Sequence, residues 1–355
     1  MDDLVYITEA DVRGLLQMPA LRARLRDAFA LFSSGQADVP PRIAARAPLG
    51  VLAAMPGYLA GVGLVVKAVT VFAGNHGTDV PSHQGLIVVC DEHSGTPVAI
   101  MDGTSITAMR TAASAAVAAD LLARPEATVL AIIGGGVQGH SHLSAFADLR
   151  PWSSVRVASR SRGSAIALAA RHPAATVSSF EAAVRGADVI CLTTDADHAV
   201  IDPSWVSPGA HVGSVGNRAE LHTGFTNGTV FVEWLGAALS APPAGAVELQ
   251  GIDPARVVEL GVPVNCGSVD MLDQLGAARP GHPVWLRINP GFGHGHSNKT
   301  NTGGEHSKHG IWHGDLEQAL HKVRSNGLAL QGLHMHIGSG VDYAHLQEVC
   351  GAMVD

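Results

Sequence analysis

An α/β protein organised around a doubly wound parallel sheet is the fold class this sequence predicts, on two observations. Short, β-branched apolar runs recur at residues 128–133, 154–158, 188–193, 211–214 and 229–232, with helix-compatible stretches between the earlier ones. Such βα alternation is the pattern of a parallel sheet. The first run also breaks into glycines, TVLAIIGGGVQG at residues 128–139. A strand that turns on glycines into a helix presents unpaired N–H groups and a positive dipole end, with Gly134 and Gly136 permitting close approach of a pyrophosphate.

The other elements follow in chain order. Leu and Ala at helical spacing predict a helix over residues 7–34, and Pro40 and Pro41 then force extended backbone. Between residues 51 and 91 the apolar runs are short and divided by Gly, Pro and Asn. This predicts antiparallel strands, with turns at 74–77 and 93–95. Residues 106–123 are alanine-rich and predict a helix.

The chain has 355 residues, enough for two domains and part of a third, and 46% hydrophobic against 15% charged residues indicates well-buried cores. A net charge of −8 argues against a nucleic-acid partner. The acidic start MDDLVYITEADV is unlike a signal peptide and no apolar run reaches membrane-spanning length, so the expectation is a cytoplasmic protein without a membrane partner. Cys90, Cys191, Cys266 and Cys350 are far apart, which suits reduced thiols.

The second strand of a dinucleotide-binding unit normally ends in an acid that holds the ribose 2′-hydroxyl. Here it ends in Ser159, Arg160, Ser161 and Arg162. Hydroxyls and guanidiniums suit a 2′-phosphate, so NADP(H) is expected over NAD(H). Lys67 lies inside an apolar run, where an ammonium is unfavourable unless an anion pairs with it.

The motifs PPRI, MPGYLAGVGLVVKAV, SHQGLIVVCDEHSGTPVAIMDGTSITAMRTAASAA, IIGGGVQGH, TTDADHAVI and PPAGAVELQGIDP together resemble the ornithine cyclodeaminase/mu-crystallin family over about residues 5–260. The resemblance implies a Rossmann-type domain at residues 121–260 joined to an α/β domain at 1–120 that binds substrate and forms a homodimer. It implies that Lys67 contacts the substrate carboxylate and donates a proton to an imine, that Arg42 and Arg110 bind the same carboxylate, and that Ser82, Val137, Gln138, Thr193 and Val215 lie near the nicotinamide cofactor. The expected substrate is a small amino acid or cyclic imine, as for ketimine or pyrroline-2-carboxylate reductases and alanine dehydrogenases. A non-catalytic NADPH-binding homodimer is another reading within the family. Ornithine cyclodeaminases proper carry an aspartate where this chain reads GSVGNRAELH. Asn217 cannot accept a proton as a carboxylate does, which disfavours hydrolytic deamination.

From residue 263 the text changes. NCGSVDMLDQLG, RINPGFGHGHSNKTNTGGEHSKHGIW and GLHMHIGSGVDYAHLQEVCGAMV resemble diaminopimelate decarboxylase, a pyridoxal-phosphate enzyme of the lysine pathway built on a (β/α)8 barrel. By that resemblance His336 stacks on the pyridine ring and Ser339 lies near the cofactor. The Schiff-base lysine belongs upstream, where this chain carries the other family, and neither Lys299 nor Lys308 matches it. Two or three βα units cannot close an eight-stranded barrel. The expectation for residues 261–355 is a partial barrel that does not use pyridoxal phosphate. A metal site among the histidines between His294 and His336 is not expected, because no consistent third and fourth ligand emerges. The seam also removes from the first family a Lys-Ser-x-Gly segment and a final helix, so the expected sheet is truncated.

Overall fold

Residues 4–33, 35–75, 77–216, 219–242, 244–260, 264–278, 282–292 and 310–335 are described by the computed structural model, and contacts divide the chain into Met1–Leu260 and Gly261–Asp355. In the first unit β1 (Val5–Ile7) leads into α1 (Glu9–Leu15) through a reciprocal cap between Thr8 and Asp11. α2 (Met18–Ser33) follows. The single helix predicted over 7–34 is thus a strand and two helices. Pro19 explains the break, because in a continuous helix its ring would strike the carbonyl four residues back, at Leu15.

The strands β2 (Ala37–Asp38), β3 (Ile43–Ala47), β4 (Gly50–Leu59), β5 (Gly63–Val71), β6 (His83–Cys90) and β7 (Pro97–Asp102) form, with β1, a sheet of order β1-β7-β6-β5-β4-β2, with β3 also beside β4. All pairs are antiparallel except β1 on β7. Asp102 then caps α3 (Gly103–Leu122), its carboxylate accepting from the amides of Thr104 and Ser105.

The second sheet is built from β8 (Val129–Ile133), α4 (Val137–Phe146), β9 (Ser154–Ala158), α5 (Arg162–Ala169), β10 (Ala175–Val177), α6 (Phe180–Val184), β11 (Val189–Leu192) and β12 (His211–Ser214). Its order is β10-β9-β8-β11-β12, with every pair parallel. Alternation sends Leu130, Ile132, Val155, Val157 and Val189 to one face, against Ala112, Ala116 and Ala119 of α3. Ala131, Ile133, Ile190 and Leu192 go to the other, against Ala183, Val184 and Ile201. Both faces are covered, which is why these strands read as continuous apolar runs. β10 gave no such signal because it is three residues long, at the sheet edge, with two of them exposed.

The run at 229–232 belongs elsewhere. As β13 (Val230–Val232) it precedes α7 (Gly236–Leu239) and pairs in parallel with β14 (Val257–Glu259), apart from the five-stranded sheet. Glu259 secures this pair, accepting from Ser33 Oγ at 2.8 Å and from the Leu235 amide at 3.0 Å.

The second unit contains β15 (Val264–Cys266), α8 (Val269–Ala278), β16 (Pro283–Asn289), β17 (Ile311–Trp312), α9 (Leu316–Ser325) and β18 (Ala329–Met335). Every pairing is parallel and runs through β16. Cys266, Leu272, Leu286, Ile288, Ala319 and Val323 form its core. This is a β/α fragment of a barrel. No helix among the described residues is long and apolar enough to cross a membrane.

Because the two units have separate cores, Leu272→Ala, at a fully buried position, should destabilise by about 2–5 kcal/mol in the second unit alone. Thermal unfolding followed by calorimetry should show one transition lowered and the other in place. A uniform shift of the whole melt would mean the units unfold as one.

Candidate functional site

The glycine turn follows from packing. β8 is driven to the centre of its sheet by fully buried Leu130, Ile132 and Ile133, and ends at Gly134, whose φ is +124°. A Cβ there would lie 2.5 Å from Thr193 Oγ1, and one at Gly139 would lie 2.0 Å from the Gly134 carbonyl oxygen. Gly134 and Gly139 are therefore needed to bring strand and helix together. Gly136, the N-cap of α4, has nothing within 4 Å of such a position and makes no side-chain cap bond. Next to it Val137 is 72% exposed. The turn is thus closed beneath and open above, and the open side faces the carboxyl ends of the strands where the order reverses between β8 and β11. Gly139 completes a GxGxxG spacing with Gly134 and Gly136, a role the sequence reading did not give it.

Other residues singled out from the sequence surround this turn. Thr193 is buried and its hydroxyl donates to the Ile133 carbonyl at 2.9 Å, so it shapes the turn. The Gln138 Oε1 atom is buried without a partner. The Val215 amide continues β12 by donating to the Leu192 carbonyl. Ser161 caps α5 by accepting from the Ser164 amide, leaving its hydroxyl proton available. Ser159 is half-buried and Arg160 is exposed beside it, and Arg160 has no ion pair among the described residues. His142, fully buried against Phe146, is held near a pKa of about 4 by burial and is neutral.

The second cluster lies on the antiparallel sheet. Lys67 shares a face of β5 with Val65 and Val69, and its Nζ donates to Thr107 Oγ1 of α3 at 3.2 Å. Burial, with the positive charges of Arg110 and Arg42 adding to it, lowers its pKa to about 8. Among the described residues no carboxylate pairs with any of the three. An ammonium disfavoured by burial and by two guanidiniums is stabilised by an anion, and nothing among the described residues supplies one. Ser82 stands at the entry to β6 with its hydroxyl 3.1 Å from His83 Nδ1, and is not bonded to either cluster. Asn217, Arg218, Lys299, Lys308, His336 and Ser339 lie outside the described residues.

A buried carboxylate was missed in the sequence. Glu220 is fully buried and accepts four hydrogen bonds, from the Thr194 amide and hydroxyl, the Gly216 amide and Ser214. In the second unit the one lysine among the described residues, Lys322, lies on α9 and is paired to Asp273 at 2.9 Å. It is not at a strand end, so the described residues do not fit pyridoxal phosphate.

Comparison with known proteins separates the same two parts. The profile of the ornithine cyclodeaminase/mu-crystallin family matches residues 3–232, and that of the pyridoxal-dependent decarboxylase, pyridoxal binding domain, matches residues 252–355. Ketimine reductase mu-crystallin of Mus musculus is 36% identical over 241 residues, 64% of this chain and 76% of the mouse protein. Diaminopimelate decarboxylase of Streptomyces coelicolor is 75% identical over 99 residues, 28% of this chain and 22% of that protein. The chain thus spans about a quarter of the length of the decarboxylases it matches. An archaeal alanine dehydrogenase dimer with bound NAD has a TM-score of 0.61 at 28% identity, covering 64% of this chain and 73% of its own. The second profile begins before β14, so a strand built into the first unit falls within decarboxylase-like sequence.

The two kinds of glycine should respond differently to a methyl group. Gly136→Ala has room in the fold and should leave the melting temperature in place while weakening dinucleotide binding by tenfold or more, about 1.4 kcal/mol. Gly139→Ala, which meets a backbone oxygen, should destabilise by about 1–3 kcal/mol. Titration and melting of both variants check this, and undiminished binding by Gly136→Ala would remove the pyrophosphate from the turn.

Proposed function

The chain belongs to the ornithine cyclodeaminase/mu-crystallin family, and from that premise we propose that its first unit is an NADP(H)-dependent oxidoreductase that reduces a small imine to a 2-amino acid. The observation that carries the proposal is the convergence of Lys67, Arg42 and Arg110 with no anion paired to them among the described residues, in a unit that also holds an open glycine turn. In this reading residues 121–260 hold the cofactor and residues 1–120 the substrate. The relatedness to a ketimine reductase over three-quarters of its length supports the choice of substrate class.

Gly134, Gly136, Val137 and Gln138 would hold the pyrophosphate, and Ser159, Arg160 and Ser161 the 2′-phosphate. Ser82, Thr193 and Val215 would border the nicotinamide. The cofactor supplies the hydride. Arg42 and Arg110 offer planar forks to the substrate carboxylate, fixing which carbon faces the hydride donor. Lys67, with a pKa near working pH, holds a proton that the imine nitrogen takes as the carbon is reduced. The outer face of the antiparallel sheet, with Leu52, Leu64, Val66 and Leu86 exposed by 36–49%, is suited to burial against a second copy in a homodimer. Free Cys90, Cys191 and Cys266 fit a reducing, cytoplasmic setting. The second unit is assigned no activity in this reading.

Arg160 and its neighbouring serines should make NADPH bind at least about tenfold tighter than NADH. Fluorescence titration should show this gap, narrowed by Arg160→Ala, whereas equal affinities would remove the preference.

Lys67 gives a pH signature. Its pKa is lowered to about 8 in the free protein, and a bound carboxylate favours the ammonium, so binding should take up a proton near pH 8 and weaken as pH rises through it. Calorimetric titration with pyrrole-2-carboxylate, a planar anion that cannot be reduced, should show this dependence. Lys67→Met should flatten it and abolish reduction of pyrroline-2-carboxylate with NADPH binding nearly intact. Unchanged turnover in that variant would make Lys67 structural.

A further inference from the structure

We propose that Glu220 is a positioning residue for this reduction, a buried carboxylate that fixes the two turns at the carboxyl ends of β11 and β12. The role rests on the nicotinamide reading above. Oε2 of Glu220 accepts from the Thr194 amide and from Thr194 Oγ1, both at 2.7 Å. Oε1 accepts from the Gly216 amide at 2.7 Å and from Ser214 Oγ at 2.9 Å. Among the described residues no Lys or Arg pairs with it, although it is fully buried. Four donors directed at two oxygens compensate its desolvation, and only a carboxylate accepts at both.

The packing is equally specific. A Cβ on Gly216 would lie 2.6 Å from the Glu220 carboxyl carbon, so the turn fits closely onto the carboxylate. The brace then continues towards the cofactor turn, because Thr193, adjacent to Thr194, donates to the Ile133 carbonyl at the end of β8. Glu248 stands behind it, accepting from the Leu221 amide at 2.8 Å, with Ser214 Oγ 3.4 Å away. Burial, with the neighbouring Glu220 adding to it, holds the Glu248 carboxyl above the usual range. All lone pairs of Glu220 are directed inwards, so it touches neither substrate nor cofactor. It acts through the backbone of residues 193–194 and 215–216, which the carboxyl-end rule for α/β sheets places beside the bound ligand.

Glu220→Gln is nearly isosteric but turns an NH2 group towards backbone N–H donors. In the ligand-free protein, amide exchange at Thr194 and Gly216 should accelerate at least about tenfold, with exchange in β8 unchanged. NADPH affinity and kcat for pyrroline-2-carboxylate should each fall about tenfold, while the imine KM changes less than about threefold. Affinity for 2′,5′-ADP, which lacks the nicotinamide end, should remain within about twofold. Ser214→Ala, which removes one donor, should show the same split at smaller size and serves if Glu220→Gln does not fold. Unaltered exchange, unaltered kcat, or equal losses for NADPH and 2′,5′-ADP would overturn the role. If the wild-type chain binds neither ligand, the functional reading itself falls and the role of Glu220 in it falls too. Wild-type binding with parallel losses in the variants overturns only Glu220.

Discussion

Close packing of one alanine-rich helix is the constraint on which the first unit depends. The amino-terminal half of α3 carries Thr107, which bonds Lys67, and Arg110, which helps lower the Lys67 pKa. Its carboxyl-terminal half lays Ala112, Ala116 and Ala119, all fully buried, against Leu130, Ile132 and Val155 of the parallel sheet. Alanine lets the helix axis approach the sheet closely while retaining high helix propensity. The same rigid element therefore carries Arg110, bonds Lys67 and supports the sheet that ends in the glycine turn, so their separation is set by backbone packing.

The chemistry of the two clusters is complementary. The glycine turn offers helix N-terminal amides and the Lys67 cluster offers excess positive charge, and each of these favours a negatively charged group. The demands of both are unmet among the described residues: Gly136 has empty space above it and Lys67 has a hydroxyl where an anion would be stronger. Glu220 shows the opposite design, since every acceptor site on it is filled.

The sequence made the centre of this fold legible and its margins less so. Residues 130–133 and 189–192 are buried on both faces and therefore read as unbroken apolar runs. Lys67 stood out because a charge in such a run has few explanations. β10 carried too few buried positions to register, and residues 7–34 kept helical spacing across a break that Pro19 imposes. β13 looked like a further sheet strand, but its partner β14 comes from a distant segment, which local pattern does not reveal. Glu220 was invisible for a related reason: an acid in a polar loop has no sequence signature when its donors arrive from Thr194, Ser214 and Gly216.

The seam between the two families is sharper in sequence than in structure. β14, inside the decarboxylase-like match, pairs with β13 of the first family's segment, and Glu259 bonds Ser33 of α2. The first unit thus incorporates residues from beyond the match to its own family. The most direct measurement is the fate of the hydride: the purified chain is incubated with NADPH deuterated on the transferred face at C4 and with pyrroline-2-carboxylate, and the product is examined by mass spectrometry. The account predicts proline carrying one deuterium at C2, formed in step with NADPH oxidation. NADPH that binds but yields no deuterated proline, nor any other deuterated 2-amino acid from related imines, would contradict it.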